Sequence, residues 1–238
     1  VILARVTSCA IHQPNFFPRP STLAKLVRAD VWVVLDDVQF NARDYQHRAR
    51  LATLADPAAQ RWLTVPVHRP HGRDTRINEL LLADPDLSRR RVGQLVRQYY
   101  GRSRHWPAAS ACVDEVLVAL ELSPRLTDVA EVSTRALLAR LGWAGRVVRS
   151  STLTARNDRS ARLADLTKAV GADTYLCGPG GSRYLDEGAF TELGLTVSYP
   201  EPPRWTRAPG IRAISALWAF AMLGPAVVRE ELSTTVPA

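Results

Sequence analysis

Ile11-His12-Gln13-Pro14-Asn15-Phe16-Phe17-Pro18 and Val31-Trp32-Val33-Val34-Leu35-Asp36-Asp37-Val38-Gln39-Phe40 are the two stretches whose reading decides the fold. Each is an apolar run that ends in polar groups. Val6 to Ile11 and Val31 to Leu35 are apolar without alternation, the pattern of strands buried on both faces in a parallel sheet. Between them a Pro-rich turn over 14–20 breaks the first strand. Ser21 then reads as the N-cap of a short helix carrying Leu23, Leu26 and Val27 on one face, and Asp30 ends it. A strand–helix–strand unit of this length is a parallel pair with a crossover.

Outward from this unit the α/β pattern continues. Asn41 to Arg50 is polar, aromatic and Arg-rich and reads as a loop or lid. Trp62 to Val67 and Ile77 to Leu82 are further strands, with a surface loop over 68–76 between them. Helical periodicity follows at 86–100, 107–121 and 127–141, with Pro107 near one start and Gly142 as a stop. Strands are then expected at 146–149, 174–177 and 195–199, and helices at 158–170, 184–193 and 211–223. The expectation is a single α/β domain over 1–238, a mostly parallel sheet flanked by helices, with a helical insertion at 86–141.

The chain has 238 residues, 46% of them apolar, and a net charge of +8. That is enough apolar chain to bury a sizeable core, and it excludes a disordered polymer. No apolar run approaches the roughly 18 residues of a membrane span. Residues 1–17 show no basic start before an apolar core and no small-residue cleavage site. Cys9, Cys112 and Cys177 offer neither metal-ligand spacing nor an even disulfide set. These features predict a reduced, cytoplasmic protein with no membrane partner. Lys25 and Lys168 are the only lysines in the chain. No block of five or six basic residues occurs, so nucleic acid is the weaker partner for this charge. An anionic small molecule, such as a phosphate ester or nucleotide sugar, needs only two or three Arg.

Polar groups at the ends of buried strands stand where open α/β sheets hold their ligands. His12 is a candidate general acid/base or phosphate donor, or else a buried ring bonded to a carbonyl. Gln13 and Asn15 are candidate substrate contacts, although Asn15 can also brace the turn. Asp36 and Asp37 point to opposite faces. They are catalytic candidates for orienting His12 or holding an amine or hydroxyl, or they cap the next loop. Gln39 is a neutral reader of substrate. Arg43, Tyr45, Gln46 and Arg48, with His47 and Arg50, form a candidate anion clamp or a solvated loop. Ser151 ends a strand. Gly178, Gly180 and Gly181 free backbone N–H groups toward an anion at the start of a helix, although a tight turn needs the same glycines. Arg183 and Tyr184 follow as substrate contacts. Cys177 reads as a small core residue. His68 and His71 have no third ligand, and no metal site is expected.

Taken together, these residues resemble the WbqC-like family. The matching segments are 12–18, Lys25, Ala29-Asp30, 35–40, Trp62-Leu63-Thr64-Val65-Pro66, Ser150-Ser151, 171–176, Gly178-Pro179-Gly180-Gly181 and Tyr184-Leu185-Asp186. The family occurs among genes for surface polysaccharides and small natural products. The resemblance implies a transferase-type enzyme on an activated sugar or activated small metabolite, and names no cofactor. A non-catalytic ligand-binding or scaffold member of a biosynthetic cluster is the alternative, and a nucleic-acid binder the second. This chain departs from the family pattern at Arg19-Pro20-Ser21-Thr22, where the family usually has Trp and Gly-Tyr, and at Trp218, where it tends to have an acid. The opening strand, helix and Ala-Asp are also similar to HIGH-type nucleotidylyltransferases, without their second His and its glycine.

Overall fold

A computed structural model describes residues 6–233. Residues 1–5, part of the segment read for a leader, and 234–238 lie outside the described residues. The central sheet has five strands: β1 (Ser8–His12), β2 (Val31–Val34), β7 (Arg146–Arg149), β8 (Thr174–Leu176) and β9 (Thr196–Ser198). They lie in the order β7-β2-β1-β8-β9, and every pairing is parallel. Counted along the chain, that order is third, second, first, fourth, fifth. The strand order therefore reverses beside β1, which makes the gap between β1 and β8 the topological switch point.

Alternation along the strands covers both faces of the sheet. Ala10, Trp32 and Val34 belong to one core, with helices α1 (Pro20–Val27), α4 (Leu126–Arg140) and α7 (Ala216–Leu223). Cys9, Ile11, Val31, Val33 and Tyr175 belong to a second, with α5 (Arg159–Ala169) and Phe190 of α6 (Gly188–Thr191). His12 has the parity of Ala10, so its side chain leaves the sheet on the α1 side.

The crossover from β2 to β7 carries two small hairpins, β3 (Arg48–Ala52) with β4 (Gln60–Thr64) and β5 (Val67–His68) with β6 (Leu81–Leu82). It also carries helices α2 (Pro85–Tyr100), α3 (Trp106–Leu122) and α4. The three helices match the periodicity within a residue or so, because long amphipathic patterns are dominated by burial.

Shorter elements differ from expectation for local reasons. Arg48–Ala52 is strand rather than loop, since Ala49 and Leu51 point into the core. Pro66 cannot donate to a ladder, so the expected strand over 62–67 splits into β4 and β5. Ile77–Glu79 is a 3₁₀ turn, held by Ile77 N–H on the Val38 carbonyl and Asn78 N–H on the Asp36 carbonyl. Ser21 is not a cap: Pro20 takes the first helical position and Arg19 precedes it. The helix expected at 184–193 shrinks to Gly188–Thr191, because the Asp186 carboxylate accepts from Gly188 N–H and its own N–H is taken by Ser160. The last expected helix starts only at Ala216, where Ser215 caps it. After Gly224 (φ 83°) the chain continues as α8 (Pro225–Ser233).

Candidate functional site

A cleft of about 1410 Å³ opens outside the carboxyl ends of β1 and β8. Ile11, His12 and Gln13 reach it from β1, Leu35 from the end of β2, and Gly178 to Gly181 from the turn after β8. This is the crevice that an open parallel sheet offers at its switch point. Helix α1 supplies Arg19, Ser21, Thr22, Lys25 and Arg28 to the wall. The start of α5 supplies Arg159, Ser160 and Arg162 opposite, and Arg183, Arg207 and Arg212 stand on loops. Among the described residues the lining holds seven arginines and one lysine against a single carboxylate, Asp44.

His12 is held on every side. Nε2 lies 3.1 Å from Asn15 Nδ2 and 3.4 Å from the Thr22 hydroxyl, and Nδ1 lies 3.5 Å from Lys25 Nζ. Thr22 and Lys25 are three residues apart, so α1 presents both on one face. The Lys25 ammonium and the Asn15 amide nitrogen carry donors only, so among these three partners the Thr22 hydroxyl alone can accept a ring proton. Burial, then the positive charges of Lys25 and Arg19, push the His12 pKa well below its ordinary value. The ring is therefore neutral at pH 7. Lys25 donates to the Ile11 carbonyl at 3.0 Å, and burial brings its pKa down to about 8.

The turn that carries Asn15 is fixed from outside the sheet. Thr134 and Ser133 of α4 donate to the Asn15 carbonyl, and Ser133 also accepts from the Phe17 N–H at 2.8 Å. Phe17 sits at φ 44°, a costly conformation for a bulky residue, and these bonds hold it there. Gln13 accepts from Gln46 Nε2 at 2.6 Å. Gln46 itself is fully buried behind the lining.

The two aspartates lie beside the cleft rather than on it. Asp36 is 1% exposed, accepts from both the N–H and the hydroxyl of Ser151, and shares the Ser150 hydroxyl with Asp37. It ties the end of β2 to the end of β7. Asp37 accepts from Ser150 and pairs with Arg162 at 2.5 Å. Burial works against its charge, but the bonds from Ser150 and Arg162 hold its pKa below the ordinary carboxylate value. Asp37 thus reaches the cleft through Arg162.

Among the other candidates, Tyr45 lines the cleft with the Arg19 guanidinium 4.5 Å over its ring. Arg48 stacks on Trp62 and donates to the Asp44 carbonyl, so it braces the wall. Gln39 donates outward to the Arg73 carbonyl, and Arg43 is exposed away from the lining. Ser151 is committed to Asp36. Gly178, Gly180, Gly181, Arg183 and Tyr184 all line the cleft. With only four residues, α6 adds no useful dipole to the glycine turn. Gly181 is required for space, since a Cβ there would stand 2.7 Å from Cys177 Sγ. Cys177 is buried and its thiol pKa is raised by that burial.

Sequence reasoning missed Lys25, Arg159 and Arg162 as cleft residues. Lys25 carried a signal, as one of two lysines in an Arg-rich chain and at a helical interval from Thr22. Of the departures from the family pattern, Arg19, Ser21 and Thr22 stand in the cleft. Trp218 is buried in the α-helical core with its Nε1 on the Thr53 carbonyl. Among the described residues no cluster of three or more His, Cys, Asp or Glu is placed to hold a metal ion. No helix among them is long and apolar enough to cross a membrane.

The model of the WbqC-like protein family matches residues 13–210. The chain is also 26% identical over 212 residues to a Mycobacterium tuberculosis protein named as the uncharacterized protein Rv1507c, covering 88% of this chain and 86% of that one. No solved structure matches.

Proposed function

We propose that this chain, which belongs to the WbqC-like protein family, is an enzyme that binds an anionic, activated small metabolite in the switch-point cleft and transfers a group from it. The observation that supports this reading is the charge of the lining, eight cationic side chains against Asp44 among the described residues. A crevice so charged recruits anions and discriminates against cations. Its volume exceeds the roughly 300–1,000 Å³ of a drug-sized site, so it has room for a ligand of nucleotide-sugar size. The arginines of α5 and the rim hold the anionic part by forked hydrogen bonds. Neutral His12 serves as the proton acceptor once a ligand displaces one of its present partners. The product class, a surface polysaccharide or a small natural product, is the expectation that the family resemblance carries.

The second reading, a binding member of a biosynthetic cluster, draws on the commitment of both aspartates to structural partners. One experiment separates the two. Thermal unfolding is measured against pyrophosphate, nucleoside diphosphates and nucleoside-diphosphate sugars, and each stabilising ligand is then incubated with amine and hydroxyl acceptors and analysed by mass spectrometry. The enzyme reading expects a rise in Tm with at least one activated metabolite and its conversion. Binding without conversion selects the second reading. No stabilisation by any millimolar anion refutes both.

A further inference from the structure

We propose that Lys25 and the glycine turn facing it form a phosphoryl subsite for a diphosphate-bearing ligand, and that His12 is the residue that positions the ammonium. This rests on reading the cleft as an anion site and narrows it. Lys25 has three N–H donors. One goes to the Ile11 carbonyl at 3.0 Å and one faces His12 Nδ1 at 3.5 Å. The third has no protein acceptor among the described residues. The ammonium stands against the turn after β8: a Cβ at Gly178 would lie 3.6 Å from Lys25 Cδ and 3.8 Å from Nζ. An alanine Cβ would make ordinary contact there, and a larger side chain would fill the space before the ammonium. A Cβ at Gly180 would meet nothing within 4 Å. The Gly181 N–H closes the turn onto the Gly178 carbonyl, whereas those of Gly178 and Gly180 make no hydrogen bond among the described residues.

The Lys25 ammonium and a glycine turn with two uncommitted backbone N–H groups therefore line the cleft at the switch point, the kinds of donor that recognise a phosphoryl group. A second phosphoryl group has its own partners in Arg159 and Arg162, which enter the same cleft from α5 on the other face of the sheet. His12 contributes by place rather than by charge. Its ring is held at Nε2 by Asn15 and Thr22, which keeps Nδ1 facing the amine. Cys177 and Cys9 are the titratable groups that act on the Lys25 charge, and Arg19 acts with Lys25 on His12; the two thiols oppose the fall in the Lys25 pKa, but burial outweighs them.

The test is calorimetric titration of the full chain with inorganic pyrophosphate and inorganic phosphate, beside NMR of protein carrying ¹³C-labelled lysine at Cε. The chain has only two lysines, so the spectrum holds two such resonances, and Lys168→Arg assigns them. Pyrophosphate is expected to bind more tightly than phosphate and to shift the Lys25 resonance alone. Lys25→Met is expected to weaken it about tenfold or more, the loss of one charge-assisted contact. Gly178→Val, which keeps the lysine and fills the space before it, is expected to do the same. His12→Gln is expected to move the Lys25 titration midpoint from near 8. Pyrophosphate that still binds with wild-type affinity to both Lys25→Met and Gly178→Val overturns the subsite and leaves the cleft reading standing. Phosphate that binds as tightly as pyrophosphate overturns the diphosphate assignment. An unmoved Lys25 midpoint in His12→Gln removes the positioning role. No binding of either anion, or of any nucleoside diphosphate, to the wild type overturns the cleft reading itself.

Discussion

Removing the Asp37 carboxylate tests how the cleft wall is built. Asp37 and Arg162 pair at 2.5 Å with side chains 15% and 19% exposed, and Ser150 supplies the second bond to the carboxylate. Little water screens such a pair, so deleting one partner strands the other. Truncations that strand a buried charge cost about 3–5 kcal/mol, and the cleft side of Arg162 admits water, which brings Asp37→Ala nearer to 3. Asp37→Asn is milder, about 1–2 kcal/mol. Its amide oxygen still accepts from Arg162, and its NH₂ can donate to the Ser150 hydroxyl, whose own proton then goes to Asp36. Arg162→Met leaves Asp37 beside Asp36 with only Ser150 between them. Urea unfolding at pH 7 of wild type, Asp37→Ala, Arg162→Met and the double variant forms a cycle. The double variant is expected to be less destabilised than the sum of the singles by about 2 kcal/mol. The folded Asp37 pKa lies below the unfolded value of 3.8, so this contribution is complete above that value and fades as the pH falls through the lower, folded one. The coupling should therefore shrink as the pH falls below 3.8 toward the folded pKa. Singles that add within about 0.5 kcal/mol at pH 7 would refute the wall as described.

Gly181→Ala forces a Cβ to 2.7 Å from Cys177 Sγ and is expected to cost about 1–3 kcal/mol, most of which Cys177→Ala restores in the double variant, as read by chemical denaturation. Ser133→Ala orphans the Phe17 N–H and should destabilise by about 1–2 kcal/mol while lowering anion affinity, since the Asn15 turn loosens. Calorimetric affinity unchanged in a destabilised Ser133→Ala would separate the turn from the site. Trp218→Phe should lose about 1 kcal/mol with its Thr53 bond and leave anion binding unaltered; weakened binding would place the position in the site after all. Burial, then Arg48 and Arg69, bring the His47 pKa to about 4. The unfolded chain then binds more protons than the folded one as the pH falls below about 6.5, so acid destabilises. His47 should account for about 2 kcal/mol of the loss between pH 7.5 and 5, so His47→Gln should remove that share of the slope in urea titrations and leave the share of His12, whose pKa is lowered in the same direction.

The central architecture was legible before any coordinates. Cys9, Ala10 and Ile11 with Val31 to Val34 can only be strands covered on both faces, because every residue is apolar and the run is too short for a helix. The insertion helices were equally plain from their period. The polar ends of β1 and β2 marked the edge of the sheet where the cleft opens. Which of those polar groups face it depended on partners more than a hundred residues away. Asp36 and Asp37 look alike in the sequence, yet Ser150, Ser151 and Arg162 bind one into the sheet edge and join the other to the cleft wall. Gln13 lines the cleft while Gln46, which bonds it, is sealed behind it.

Local chemistry settles what a strand or a long helix can be, since burial and backbone geometry act between near neighbours along the chain. A run of β-branched residues therefore declared the sheet, and the scarcity of lysine set Lys25 apart without saying why. The strand order that places β8 beside β1 and so brings the Gly178 turn against Lys25, and the swing of α5 that brings Arg162 to Asp37, belong to the tertiary structure. They depend on which surfaces pack, a choice made by the whole chain at once, and no single segment carries it.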